Sequence, residues 1–459
     1  MEEILDWSAL EQARRIRDGD ITSEELTDLY LERIADENPR INAFVQVLDE
    51  RARHAARRAD RARRVDRPPF LGVPIGVKDL NTVRGSFTRF GSRAFERLFT
   101  PFDDATAAQL RRAGFIILGK TATSELGALP VTEPDIHPPT RNPWDLAVTP
   151  GGSSGGAGAA VAAGLIPIGQ GSDAGGSIRI PASLCHLVGL KPSRGRVENP
   201  FQLDDDAIIW TCGPIARDVD DCAALLDVMA GITVGKPHWA PPPDRPFLEL
   251  AQRAPKNLRI RFAIHPPRSS GVHTDSEIEA AVREVARVLA SLGHRVEEAS
   301  FIDAPLDEFL PIWQKQAADV PVPDWSLTQP VTRWLGEAGK RVTAELAADL
   351  TAKLSARVLS WFGDVDVWIT PTVAVAPPAI GAWASLSPPE AFARAIQMGL
   401  FTAPFNASGQ PAVSVPAGLS RRGHPIGAQL VGRACADATV LALAKELERA
   451  MPSRARRAP

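Results

Sequence analysis

Near the start of the chain, apolar residues recur with the spacing of a helix. Thr22 and Glu25 stand at capping-box spacing, and Leu26, Leu29, Tyr30 and Ile34 follow on one face. A second helix is predicted over residues 49–65. The arginines in it and just after it (Arg51, Arg53, Arg57, Arg58, Arg61, Arg63, Arg64 and Arg67) are interleaved with alanine and aspartate and lack aromatic neighbours. They read as a solvated helix face rather than a nucleic-acid patch. From Leu71 the texture changes to short apolar runs alternating with helical stretches. Residues 72–77, 115–118, 365–370, 412–415 and 429–431 read as buried strands, which predicts a layered α/β fold. Residues 258–264, 275–292 and 295–298 read as a strand-helix-strand unit.

Residues 304–342 carry Trp313, Trp325 and Trp334 among prolines, and read either as a substrate-facing cap or as irregular core packing. The tail, 452–459, reads as frayed. No internal repeat and no Gly-, Ser- or Pro-rich linker interrupts the chain, so a single domain over 1–459 is expected, opening with a helical segment over 1–68.

Composition narrows the function classes. With 44% apolar and 23% charged residues and a net charge of −3, the chain is an ordinary globular protein with no global attraction to nucleic acid or anionic membrane. The N-terminus is acidic and lacks the apolar core of a signal peptide, and no run reaches the ~18 apolar residues of a membrane span. A cytoplasmic location is expected. Cys185, Cys212, Cys222 and Cys435 are too scattered for a disulfide framework or a zinc motif and read as small buried hydrophobes.

Two pattern matches are decoys. Residues 114–121, GFIILGKT, satisfy the P-loop expression, but bulky strand-forming residues fill the place of a pliable phosphate cradle, so they read as a buried strand ending at Gly119. Residues 151–155, GGSSG, satisfy the nucleophile-elbow pattern and would make Ser153 the attacking residue of a histidine-based triad.

The densest signal lies between Thr149 and Arg196, where GGSSGG, GSDAGGSIR and GLKP follow in order. Upstream, residues 72–79 read GVPIGVKD; NPWDL precedes the run, and GQPAVSVPAG and PIGAQLVGR lie near the end. In these motifs the chain resembles the amidase signature family, strongly across the central run and more loosely over most of its length. The resemblance implies a central mixed, twisted β-sheet covered by helices on both sides. It implies Ser177 as nucleophile, Ser153 as a bridging serine with a cis peptide, Lys78 as base, and an oxyanion hole of the Ala174, Gly175, Gly176 and Ser177 amides.

Chemistry supports these roles. An amide carbonyl resists attack, so cleavage needs an activated nucleophile and a preorganised donor nest. Lys78 sits in an apolar strand of a chain with nine lysines, which invites desolvation; to act as a base its pKa must fall by about three units from ~10.4. The plainer readings are a Lys78–Asp79 salt bridge, Ser153 and Ser154 as turn residues, and Ser177 as a helix cap. Those roles leave the conjunction of three motifs unexplained. Asp173 and Arg179 flank the nucleophile, either bracing its loop or forming a surface ion pair. His186 stands where family members often have glycine and reads as packing or pocket lining; His424 reads as a loop residue.

The implied reaction is serine-dependent hydrolysis of a small amide or carbamate (an aryl or alkyl amide, or a urethane) through an acyl-enzyme, with esterase side activity. No metal or organic cofactor is implied. The expected partner is a small-molecule substrate, without nucleic acid or membrane, for a monomer or homodimer. The alternatives are the glutaminase subunit of a tRNA-dependent amidotransferase and a catalytically inactive scaffold. The interval between Arg357 and Pro371 reads as short for the first, and possession of all three catalytic positions argues against the second.

Overall fold

The computed structural model describes residues 2–62, 68–198, 208–231, 238–304, 306–451 and 457–458. Arg63, Arg64, Arg67 and the C-terminal part of the helix predicted over 49–65 lie outside the described residues, as does most of the 452–459 tail. The two described tail residues are tied down, not frayed: Arg457 pairs with Asp6 at 2.6 Å, and the Ala458 amide donates to Ala162 O at 2.9 Å.

Thirteen strands are formed by the described residues. They are β1 (Phe44–Val47), β2 (Pro74–Lys78), β3 (Ser86–Phe87), β4 (Phe99–Thr100), β5 (Ile116–Thr121), β6 (Ile168–Asp173) and β7 (Val188–Lys191). Beyond these lie β8 (Thr211–Ala216), β9 (Arg259–Phe262), β10 (Arg295–Glu298), β11 (Val367–Pro371), β12 (Ala412–Leu419) and β13 (Pro425–Gly432). Eleven form one sheet in the order β1-β5-β2-β6-β8-β7-β12-β13-β11-β9-β10, and β3 pairs with β4 apart from it. The sheet is mixed. β5, β2 and β6 run parallel, as do β11, β9 and β10, while the strands between them pair antiparallel. β2, β5, β6, β7, β8, β11 and β13 are buried at every residue, as strands covered by helices on both faces must be. The expected α/β architecture is the observed one.

Local signals account for several elements. Thr22 and Glu25 close a full capping box on helix Ser23–Ile41. Helix Ser276–Ser291 joins the parallel strands β9 and β10. Helices Glu2–Asp6, Ala9–Asp18, Ser23–Ile41 and Asp49–Asp60 make up the N-terminal segment, which also contributes the edge strand β1. Residues 304–342 hold helices Leu306–Asp319 and Pro330–Gly339 around a 3-10 turn, Trp325–Leu327. Proline disguised them: Pro311 lies inside the first and Pro330 opens the second, where its missing N–H costs nothing.

Two expectations are corrected. β5 does not end at Gly119 but continues through Lys120 to Thr121, because the buried Lys120 ammonium is neutralised by Asp79 at 2.7 Å. Cys185, Cys212 and Cys222 are buried, but Cys435 is exposed just beyond β13, with φ at 62°.

The elements bring three catalytic candidates together. β2 ends at Lys78, β6 ends at Asp173 just ahead of Ser177, and helix Gly155–Ala162 begins two residues after Ser153. That helix is wholly buried and built of Gly, Ala and Val. A Cβ on Gly156 would stand 2.2 Å from Ala122 N, so only glycine lets the helix lie against the chain leaving β5.

Candidate active site

Lys78 is fully buried, and its backbone N–H donates to Gln170 Oε1 at 3.0 Å. Its Nζ donates to Ser153 Oγ at 2.7 Å, Ser172 Oγ at 3.0 Å and Ser172 O at 3.3 Å. The simple Lys78–Asp79 pair is not made, since Asp79 takes Lys120. Burial pulls the Lys78 pKa from 10.5 down to about 7, against the opposing pull of Cys212 and Asp173. A lysine so placed can exchange a proton with Ser153 near neutrality.

Ser153 follows a cis peptide from Gly152. The Ser154 amide donates to Ser177 O at 3.1 Å, fastening the two serine segments together. Ser154 Oγ donates to Ser172 O at 3.1 Å and accepts from the Ser172 amide at 3.2 Å, a bracing role that occupies it fully. Ser177 is 6% exposed and lines a cavity of about 350 Å³. Its Oγ is not hydrogen-bonded to Ser153, so the Lys78–Ser153 link is formed while the Ser153–Ser177 link stands open.

Asp173 shapes the loop between β6 and Ser177. Its carboxylate accepts from the Gly176 amide (2.7 Å), the Ile178 amide (3.1 Å), Arg179 Nε and Nη2 (2.9 and 2.8 Å) and Asn406 Nδ2 (2.9 Å). Arg179 also donates to Thr402 O (3.0 Å), Gln429 Oε1 (2.6 Å) and Asn406 Oδ1 (2.6 Å). Both charges are wholly buried, so the surface ion-pair reading is discarded. Burial raises the Asp173 pKa, but the Arg179 guanidinium beside it holds the carboxyl well below the usual carboxylate range.

This bracing corrects the expected four-donor oxyanion hole. The Gly176 amide is spent on Asp173, whereas the amides of Ala174, Gly175 and Ser177 donate to no protein acceptor among the described residues. Three N–H groups thus stand free beside Ser177. Gly176 itself has φ 130°, and a Cβ there would meet Thr402 Oγ1 at 2.3 Å, so the turn requires glycine.

Neither histidine of interest joins the set. His186 packs tilted on Trp144, with ring centroids 5.2 Å apart, and burial lowers its pKa to about 4. It lines a second cleft, of about 600 Å³, that contains neither Lys78, Ser153 nor Ser177. Its φ of 62° explains the glycine expected at this position. His424, just ahead of β13, pairs with Asp145 at 3.0 Å.

Sequence reasoning missed Ser172, which is the serine of the GSDAGG run, and Gln170 just ahead of it, although both lie in β6 two residues apart, the spacing of one strand face. It also missed Asn406, for which no local signal existed, and Gln429, although that residue lies inside the run PIGAQLVGR. Among the described residues no group of three or more His, Cys, Asp or Glu side chains could hold a metal ion, and no helix is long and apolar enough to cross a membrane.

A family model described as Amidase matches residues 25–441. The chain is 37% identical over 480 residues to a 6-aminohexanoate-cyclic-dimer hydrolase of Paenarthrobacter ureafaciens, covering 98% of this chain and 96% of that protein. The structure of a 6-aminohexanoate cyclic dimer hydrolase complexed with substrate superposes with a TM-score of 0.89 at 34% identity, covering 99% of each chain. A bacterial aryl acylamidase of the amidase signature enzymes superposes with a TM-score of 0.87 at 25% identity, covering 97% of this chain and 96% of that one.

Proposed function

Since the chain belongs to the amidase signature family of hydrolases acting on C–N bonds, we propose that it cleaves a small uncharged amide or carbamate through an acyl-enzyme on Ser177. The observation that carries this reading is a fully buried lysine with a pKa near 7, 2.7 Å from Ser153 and adjoining a serine flanked by unspent amides.

Neutral Lys78 takes a proton from Ser153, which takes one from Ser177 as its Oγ attacks the carbonyl. The open Ser153–Ser177 link closes as substrate seats, as catalytic hydrogen bonds commonly tighten only in the substrate complex. The amides of Ala174, Gly175 and Ser177 receive the oxyanion, and Asp173 and Arg179 keep their loop rigid. The proton on Lys78 then returns through Ser153 to the leaving nitrogen, and water releases the acid.

A glutaminase must hold the ammonium and carboxylate of glutamine. Among the described residues no charged side chain lines the cavity, which favours the free amidase over the amidotransferase subunit. The helical segment Leu306–Asp319 serves as one wall of the substrate site through Phe309 and Trp313. The isolated chain, located in the cytoplasm, needs no metal, cofactor or second subunit. A fluorophosphonate with peptide mapping tests the assignment: the adduct is expected on Ser177, with loss of amide turnover, whereas an adduct on Ser153 would restore the elbow reading.

A further inference from the structure

This inference rests on Ser177 being the nucleophile and concerns what occupies the cavity beside it. At ~30 Å³ per water-sized group, 350 Å³ holds about a dozen non-hydrogen atoms. One side is aromatic. Trp313 lies 3.4 Å from where a Cβ on Gly175 would stand, its Nε1 donates to Ala128 O at 3.2 Å, and its ring centroid is 5.7 Å from that of Phe309. No charged side chain among the described residues lines this cavity, and burying an unpaired ion is strongly unfavourable.

The polar lining is sparse and mostly committed. Ser269 Oγ donates to Asp303 and Ser270 Oγ to Pro267 O, both at 2.6 Å. Gln397 differs: it is half-buried, lines the cavity, and its carboxamide has no protein partner among the described residues. It rides on the short turn Ile396–Gly399, which is tied to the nucleophile loop because Thr402 Oγ1 lies 3.1 Å from Gly399 O and 2.5 Å from Gly175 O. An amide side chain carried on a turn tied to the nucleophile loop offers both a donor group and an acceptor to a substrate.

We propose that the acyl half of the substrate is uncharged, has up to about a dozen non-hydrogen atoms, and carries an internal amide or carbonyl of its own that the Gln397 carboxamide meets, while Trp313 covers its apolar stem. Substrates of this kind are diamides and capped amino-acyl amides.

The test uses nitroanilides with acyl groups of matched length on the full chain: an N-acetylated ω-aminoacyl, a plain alkanoyl, a free ω-aminoacyl and an ω-carboxyacyl. The acetylated compound is expected to exceed both charged ones in kcat/KM by at least about tenfold. Gln397→Leu, with unchanged thermal unfolding, is expected to lower the acetylated-to-alkanoyl ratio by about tenfold, the size of one hydrogen bond left unmade in a desolvated site. An unchanged ratio in that variant overturns the role of Gln397, and charged acyl groups cleaved as fast as neutral ones overturn the substrate class. Cleavage of none of the four, without labelling of Ser177, would instead defeat the reading of the site itself.

Discussion

Lys78→Met separates the two jobs assigned to the buried lysine. Methionine keeps most of the volume and removes the proton carrier. Lys78 is the one titratable group within hydrogen-bond reach of Ser153 Oγ among the described residues, so no substitute base stands in its place. General acid-base catalysis of this kind contributes about 10²–10⁴ in rate. An anilide leaves only as a protonated amine, whereas nitrophenolate departs as an anion, so the variant is expected to lose at least about tenfold more kcat/KM on a nitroanilide than on the matched nitrophenyl ester. That is an extra barrier of about 1.4 kcal/mol. The same variant has a second readout. Because the folded-state pKa of Lys78 is depressed to about 7, the unfolded chain binds more protons than the folded one between pH 7 and 10.5, and wild-type stability should climb over that window. Lys78→Met, free of that penalty, should therefore be the more stable protein by several kcal/mol at and below about pH 7, with the advantage fading toward pH 10.5. Anilide and ester kinetics under acylation-limited conditions, with thermal unfolding across pH, measure both. Equal losses on the two substrates would remove proton return from the role of Lys78, and a variant less stable at pH 6 would contradict the lowered pKa of the buried lysine.

Two further outcomes are expected. Asp173→Asn leaves the Arg179 guanidinium without its carboxylate in a site closed to water and should cost about 3–5 kcal/mol in urea unfolding, with activity lost alongside; a cost under about 1 kcal/mol would mean the pair is not the brace described. His186→Ala should keep at least about a third of wild-type kcat/KM, and His186→Gly should be more stable than His186→Ala by about 1 kcal/mol because of the left-handed backbone. Loss of turnover in folded His186→Ala to the level of Lys78→Met would reinstate a histidine mechanism.

What the sequence made legible was local. A lysine inside an apolar strand, serines between paired glycines, and a capping box each carry their cause within a few residues. The catalytic candidates are therefore legible without the fold. What escaped depended on distant partners. β5 runs on through Lys120 because Asp79, 41 residues earlier, cancels its charge. The Gly176 amide is unavailable because the neighbouring carboxylate bends back onto it, a side-chain choice that the motif does not encode. Asn406 and Gln397 carry no motif, and their relevance exists only once the sheet and the helices over it have closed. Residues 304–342 hid two helices behind prolines that turn out to suit their positions.

The Asp173–Arg179 knot also bears on when the protein can become reactive. Arg179 is gripped by Asn406 and Gln429, 227 and 250 positions downstream. While a ribosome is still making the intervening chain, Ser177 and its amides already exist but the guanidinium has nothing to close on. With Ser177 as nucleophile, hydrolytic competence is expected only after β13 is inserted, so that a nascent chain carrying the whole serine motif would not yet attack amides around it. Activity regained during refolding should accordingly track the burial of β13 rather than the formation of the β2–β5–β6 half of the sheet.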